Sequence, residues 1–257
     1  MKQAILIVSF GTTHLDTLER SISTLEAHIG AAFPNLPRFR AFTSPRIRAR
    51  LAQRHGLEIP SPAEAMEQLI REGYESVLVQ PPLLIPGEEF DKLRRTLLGF
   101  RDRISLKMGL PLLWREDDLD GILHEVAAFY HPAQEEILLL MGHGTEHDAN
   151  RFYTVLDEKM RSCPDCCMRI CTVEGKPDIA DAVAALREQP IRRIVAAPLM
   201  LVAGDHAKND MAGDEPDSLR SMLEQAGFSV ECRFVGLGEI PAIRDRYLRR
   251  LREAAAL

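Results

Sequence analysis

The chain has 257 residues, 46% of them hydrophobic and 27% charged, with 16 Gly and 16 Pro spread along it; this profile excludes disordered, collagenous and coiled-coil chains and can bury a core without disulfides or a structural metal. Its 32 Lys and Arg against 38 Asp and Glu leave a net charge of −6, the opposite of the basic footprint of a nucleic-acid binder. The longest charge-free run is the 13 residues 3–15, short of the about 18 that suggest a membrane span.

Short apolar runs alternate with amphipathic stretches, which predicts an α/β protein with parallel strands. A buried strand is expected over 4–9, then a helix over 16–29. The apolar start after Lys2 carries a single charge and no small-x-small cleavage site, so it reads as this strand rather than a leader, in a cytoplasmic protein. A strand follows at 38–42, helices at 45–54 and 62–72, and a strand at 76–80. A helix over 90–106, a strand over 107–113 and a helix over 119–130 complete a first half, 1–130, before His131-Pro132 breaks the chain. The pattern then begins again: strand 137–141, helix 150–160, strand 167–173, helix 179–188, strand 194–198. A helix at 219–226, a strand at 230–234 and an Arg-rich helix at 241–255 close the second half, 131–257.

The restart is an internal duplication. Leu6-Ile-Val-Ser-Phe-Gly-Thr-Thr-His14 matches Leu139-Leu-Met-Gly-His-Gly-Thr-Glu-His147 at an offset of 133, and the stretch from Val77 to Glu89 matches that from Ile194 to His206 at an offset of 117. Two similar halves, each a parallel sheet flanked by helices, predict a ligand cleft between them.

In open α/β sheets ligands bind beyond the carboxyl ends of the strands, which ranks the eight histidines. His143 follows the strand 137–141 between Gly142 and Gly144, Glu174 follows 167–173, and His206 lies in the loop after 194–198. Three potential metal ligands thus leave one edge of the second half. Spacing alone leaves Glu174 open to being a turn acid and His206 to being a surface partner of Asp205 or Asp210. His147 could support a ligand from one turn away. The positions in the first half equivalent to His143 and His206 are Phe10 and Glu89. Nitrogen ligands on one copy, an aromatic ring and a carboxylate on the other, suit a flat ligand with a metal on one face.

Other signatures are absent: no G-x-S-x-G, Walker A, G-x-G-x-x-G after a strand or H-E-x-x-H occurs, and Gly236-Leu-Gly238 lacks the third Gly. Cys163, Cys166, Cys167 and Cys171 form C-x2-C-C-x3-C, which fits neither zinc nor iron–sulfur spacing and reads as reduced thiols beside and within a strand. The basic run Arg46-Ile-Arg-Ala-Arg50 has no interleaved aromatics and reads as a solvated helix face.

Ile7-Val-Ser-Phe-Gly-Thr12, Ala41-Phe-Thr-Ser44, Met141-Gly-His-Gly144, Val173-Glu174, Pro198-Leu-Met-Leu-Val-Ala-Gly-Asp-His206 and Asn209-Asp-Met211 together resemble the anaerobic cobaltochelatase CbiK family, class II chelatases, through the whole chain in order. The resemblance implies insertion of Co²⁺ into sirohydrochlorin on a route to cobalamin. It implies His143, Glu174 and His206 as metal ligands. The chemistry of insertion then makes His143 the main proton acceptor and Glu174 a group that takes up or relays a proton, with Phe10 on the macrocycle face, Glu89 approaching from the opposite side, and Leu201 and Val202 as further contacts of the tetrapyrrole. The partners are then sirohydrochlorin and a divalent ion that is itself a substrate, with no organic cofactor, nucleic acid or membrane. Fe²⁺ or Ni²⁺ insertion, or a cobalt or nickel carrier without turnover, are the alternatives. Because sirohydrochlorin is polyanionic, local Arg or Lys must oppose the chain's net charge.

Overall fold

The strand β1, Gln3–Ser9, is buried on both faces over six consecutive residues, the signature of a central parallel strand. In the structure, a computed structural model describing residues 2–163 and 167–256, β1 pairs with β2 (Arg38–Phe42) on one side and β3 (Ser76–Gln80) on the other, and β3 pairs with β4 (Ser105–Met108). All pairs are parallel, in the order β2-β1-β3-β4. The second sheet repeats this plan. β5 (Glu136–Gly142) lies between β6 (Met168–Thr172) and β7 (Arg193–Pro198), with β8 (Ser229–Cys232) outside β7, in the order β6-β5-β7-β8. Pro198 cannot donate to the ladder and stands at the last position of β7, opposite Met141.

The helices begin where the sequence supplies caps. Ser44 caps Pro45–His55 by accepting the Ile47 N–H, and Gly56 at φ 62° ends that helix. Ser61 and Glu64 form a capping box for Pro62–Arg71, as Asp178 and Asp181 do for Ile179–Arg187. In the first core, Leu6, Val8, Val77 and Val79 meet Met66, Leu69, Leu93 and Leu97. In the second, Leu139, Met141, Ile194 and Ala196 meet Val183, Leu186, Leu219 and Leu223.

Two expectations shift. The helix predicted over 90–106 is Glu88–Leu98, and the strand predicted over 107–113 is Ser105–Met108. Pairing with β3 spans only Ser76 to Val79; beyond it the Leu112 and Leu113 N–H groups turn to the carbonyls of Leu83 and Leu84, at 2.9 and 2.7 Å. The compact units also differ from an equal division at 130/131. One unit comprises Met1–Trp114 and Pro241–Leu257, the other Arg115–Ile240. The helix Asp117–Tyr130 belongs to the second unit, where Lys159 bonds Asp120 at 2.8 Å and the Tyr130 hydroxyl reaches the Val235 carbonyl at 3.3 Å. The helix Pro241–Ala256 belongs to the first, burying Ile243, Tyr247 and Leu251, with the Tyr247 hydroxyl 3.3 Å from the Leu83 carbonyl.

Candidate metal and ligand site

In each sheet the order places the topological switch point between the first and third strands of that unit, where crossovers diverge to opposite faces and leave a crevice at the carboxyl ends. His143 follows β5, and His206, expected in a loop, stands in the short helical turn beyond β7, so the two imidazoles lie past the strands flanking this point in the second sheet. Glu174 follows β6, on the other side of β5.

The loop that presents His143 continues the β5–β6 ladder past its end. The Val173 N–H bonds the Gly142 carbonyl at 3.1 Å, and the Glu174 N–H bonds the His143 carbonyl at 2.7 Å. Both flanking glycines are required. A Cβ on Gly142 would stand 2.4 Å from the Tyr153 ring; one on Gly144, whose φ is 77°, would stand 1.6 Å from the Glu174 carbonyl oxygen. Tyr153 is fully buried under this loop and hydrogen-bonds the backbone of Gly144 and His143, while burial pushes its phenol up to about 12.

The two imidazoles meet edge to face, ring centroids 4.6 Å apart. His143 Nδ1 lies 2.9 Å from the Gly144 carbonyl and His206 Nδ1 lies 2.8 Å from the Asp210 carboxylate. Each Nδ1 thus faces an oxygen that can only accept, so in the neutral rings the proton sits there and the Nε2 lone pair is left for a metal. Glu174 approaches on the Nδ1 side of His143, at 3.9 Å. The His143 side chain is 46% exposed, His206 36% and Glu174 63%. Among the described residues, no group of three or more His, Cys, Asp or Glu is gathered closely enough to hold an ion: the structure brings the two histidines together and leaves the Glu174 carboxylate beside one of them.

The first unit repeats the loop with different chemistry. Thr43 N–H bonds the Ser9 carbonyl at 2.9 Å, Ser44 N–H bonds the Phe10 carbonyl at 3.4 Å, and Gly11 takes φ 99° where Gly144 stands in the copy. Phe10 occupies the place of His143 with 46% of its surface exposed. Glu89, in the first turn of Glu88–Leu98, shares Lys92 with Glu88 at 3.3 and 3.1 Å. Phe10 and Glu89 line one pocket of about 530 Å³.

Leu201 and Val202 are partly buried in the loop ahead of His206. That loop is braced by Gly236-Leu-Gly238, whose Leu237 and Gly238 N–H groups bond the carbonyls of Met200 and Leu201 at 2.8 and 3.0 Å. Asn150 ties two loops together, accepting from the Thr145 N–H at 3.1 Å and donating to the Lys176 carbonyl at 2.9 Å. His147 accepts the Ala149 N–H on Nδ1 and caps a short turn. Asn150 and Tyr153 carry no signal in the sequence; of the two acids that spacing offers to His206, the structure pairs Asp210, four residues on, with its Nδ1. Cys166 lies outside the described residues; Cys163 and Cys171 are free thiols, and burial pushes the Cys171 thiol up. No helix of the described residues is long and apolar enough to cross a membrane.

Comparison with known proteins gives a consistent set of likenesses. The family described as Cobalt chelatase (CbiK) matches residues 3–256. A sirohydrochlorin cobaltochelatase of Salmonella typhimurium is 37% identical over 256 residues, covering 99% of this chain and 97% of that one. Sirohydrochlorin cobaltochelatase CbiKC of Nitratidesulfovibrio vulgaris is 29% identical over 262 residues, covering 99% and 91%. Among solved structures, SirB from Bacillus subtilis with Fe³⁺ superposes with a TM-score of 0.66 at 19% identity, covering 100% of this chain and 96% of that one; at that identity the likeness concerns the fold.

Proposed function

Because the chain belongs to the cobalt chelatase (CbiK) family, we propose that it inserts Co²⁺ into sirohydrochlorin. The observation that carries the reading is the pair of imidazoles at the switch point, each with Nδ1 engaged and Nε2 left for the ion. Imidazole suits Co²⁺ and neighbouring divalent ions, and its exposed setting lets the ion be handed on rather than kept. In this reading Nε2 of His143 and of His206 present the ion. Insertion breaks two pyrrole N–H bonds and forms metal–nitrogen bonds in their place, so two protons must leave the macrocycle. Once the ion moves on, His143 Nε2 is free to accept one. Glu174, beside the same ring, offsets the ion's charge and takes up or relays the other. Phe10 offers an aromatic face to the macrocycle, with Leu201 and Val202 adding apolar surface and Glu89 a carboxylate. The reading carries with it a cytoplasmic location and no organic cofactor.

The test is the absorption spectrum of metal-free sirohydrochlorin mixed with substoichiometric protein and Co²⁺, Ni²⁺ and Fe²⁺ in competition. Many turnovers with Co²⁺ ahead of the others are expected. A preference for Fe²⁺ or Ni²⁺ would reassign the metal, and tight metal binding with an unchanged spectrum would make the protein a carrier.

Asp210 supplies a second prediction. A carboxylate on the far nitrogen of a ligating imidazole fixes its tautomer and strengthens it as a donor, with metal affinity typically falling 10- to 100-fold on removal. Asp210→Asn should therefore raise the KM for Co²⁺ by about tenfold and leave the KM for sirohydrochlorin unchanged. Equal Co²⁺ kinetics in variant and parent would remove Asp210 from the site.

A further inference from the structure

We propose that the pocket lined by Phe10, Ser44 and Arg46 binds a carboxylate of the ligand through Arg46 and two helix N-termini; resting on the chelatase reading, that ligand is the acidic rim of the tetrapyrrole.

Where the second unit's loop places an imidazole and runs on into Glu174, the first unit's loop places Phe10 and runs on into Ser44-Pro45-Arg46. One scaffold thus carries a metal-seeking end in one copy and a cationic end in the other. The helix that starts here, Pro45–His55, has no acidic residue in its first turn; Arg46 and Arg48 stand where the macrodipole favours negative charge. Arg48 is paired with Glu64 at 2.9 Å. Arg46 is exposed, and among the described residues it has no ion-pair partner. A cation so placed opposes helix stability and is accounted for by an anion that both it and the helix end attract.

A second helix starts in the same pocket, Pro62–Arg71, through Ser61 and Ala63. Pro45 and Pro62 have no N–H, and the Ile47 and Glu64 N–H groups are taken by the hydroxyls of Ser44 and Ser61. The Arg46 and Ala63 N–H groups, which helix geometry provides with no intrahelical acceptor, remain as donors. Thr43 also lines the pocket, its hydroxyl oxygen buried without a hydrogen-bond partner. Lys92 is already held by Glu88 and Glu89, which leaves Arg46 as the cation free to pair. A planar guanidinium matches a carboxylate through two parallel bonds. Glu89 in the same wall disfavours a more highly charged anion such as phosphate. Phe10, half exposed beside them, supplies a surface for a flat ring. The chain's net charge of −6 repels a polycarboxylate at long range, so binding depends on a local cation of this kind.

The experiment titrates the full chain with metal-free sirohydrochlorin, following fluorescence quenching, in parent, Arg46→Ala, Arg46→Glu and Arg46→Lys, with Arg101→Ala as a surface control. Arg46→Ala should weaken binding by about tenfold, Arg46→Glu further, and Arg46→Lys less, with Arg101→Ala unchanged. The KM for sirohydrochlorin should rise in step while the KM for Co²⁺ does not move. Arg46→Glu should also leave the melting temperature equal or slightly higher, because it places an acid at a helix N-terminus; lost binding with retained stability separates ligand contact from a structural role. Unchanged affinity in Arg46→Ala and Arg46→Glu, or no binding to the parent protein, overturns the proposal. Competition by millimolar inorganic phosphate that depends on Arg46 overturns its assignment to a carboxylate. Arg46-dependent binding without metal insertion would sink the chelatase reading and leave the pocket standing.

Discussion

Replacing His143 by Ala is expected to abolish metal insertion while the protein stays folded. The ring lies just past the end of β5, an inner strand of its sheet, in edge-to-face contact with His206, and nearly half of its side-chain surface is exposed. Removing it leaves no cavity in a core, so the melting temperature should move by no more than a few degrees. Activity should fall far more, because in the proposed mechanism the same Nε2 presents the ion and then accepts a pyrrole proton. Losing a positioned acid–base group costs roughly 10²- to 10⁴-fold, and loss of a metal ligand adds to it. The spectroscopic insertion assay beside a thermal melt decides the matter; near-normal turnover in folded His143→Ala would sink the assignment. His206→Ala should act in the same direction, with a rise in the KM for Co²⁺ as its first sign.

Gly144→Ala is expected to damage both stability and activity, although it adds one methyl group. The residue takes φ 77°, and the added Cβ would meet the Glu174 carbonyl oxygen at 1.6 Å. That oxygen belongs to backbone, so relief requires the loop to move away from the ladder that joins His143 to Glu174. Left-handed strain in a non-glycine residue costs about 1–3 kcal/mol, and the steric conflict adds to it. A melting temperature several degrees lower is expected, with a drop in insertion rate of about 100-fold as the imidazole and the carboxylate are displaced together. Gly56→Ala makes the control: Gly56 also has positive φ but nothing within 4 Å of a built Cβ, so it should lose some stability and keep its activity. Equal behaviour of the two variants would show that loop geometry at Gly144 does not govern the site.

These two residues also mark what could be read before the fold was in hand. His143 stands out in the sequence because it interrupts a strongly apolar run between two glycines, and a residue so placed projects from the carboxyl end of a buried strand. Glu174 and His206 follow by the same rule with less contrast, since a turn acid and a surface histidine are common. Asn150 and Tyr153 carry no such mark, and Asp210 is legible only as one of two acids within reach of His206. Asp210 matters because one turn of chain places it against His206, Asn150 because it bridges segments 26 residues apart, and Tyr153 because its ring fills the space a Cβ on Gly142 would need. Arg46 reads in the sequence as one of several arginines on a solvated helix. Its place in the lining of a pocket, with its neighbour Arg48 already paired, is what distinguishes it.

By itself the sequence determined the alternation of strands and helices, the duplication, and the strand ends from which the candidate ligands depart. Those properties rest on periodicity and on backbone preferences that act within a few residues. The tertiary structure alone decided that the last helix belongs with the first sheet and the helix Asp117–Tyr130 with the second, that β4 ends at Met108, and that His143 and His206 share an edge with their Nδ1 atoms turned to Gly144 and Asp210. Each of these depends on which distant segments compete for the same buried surface or hydrogen bond, and that competition is resolved only when the chain is packed.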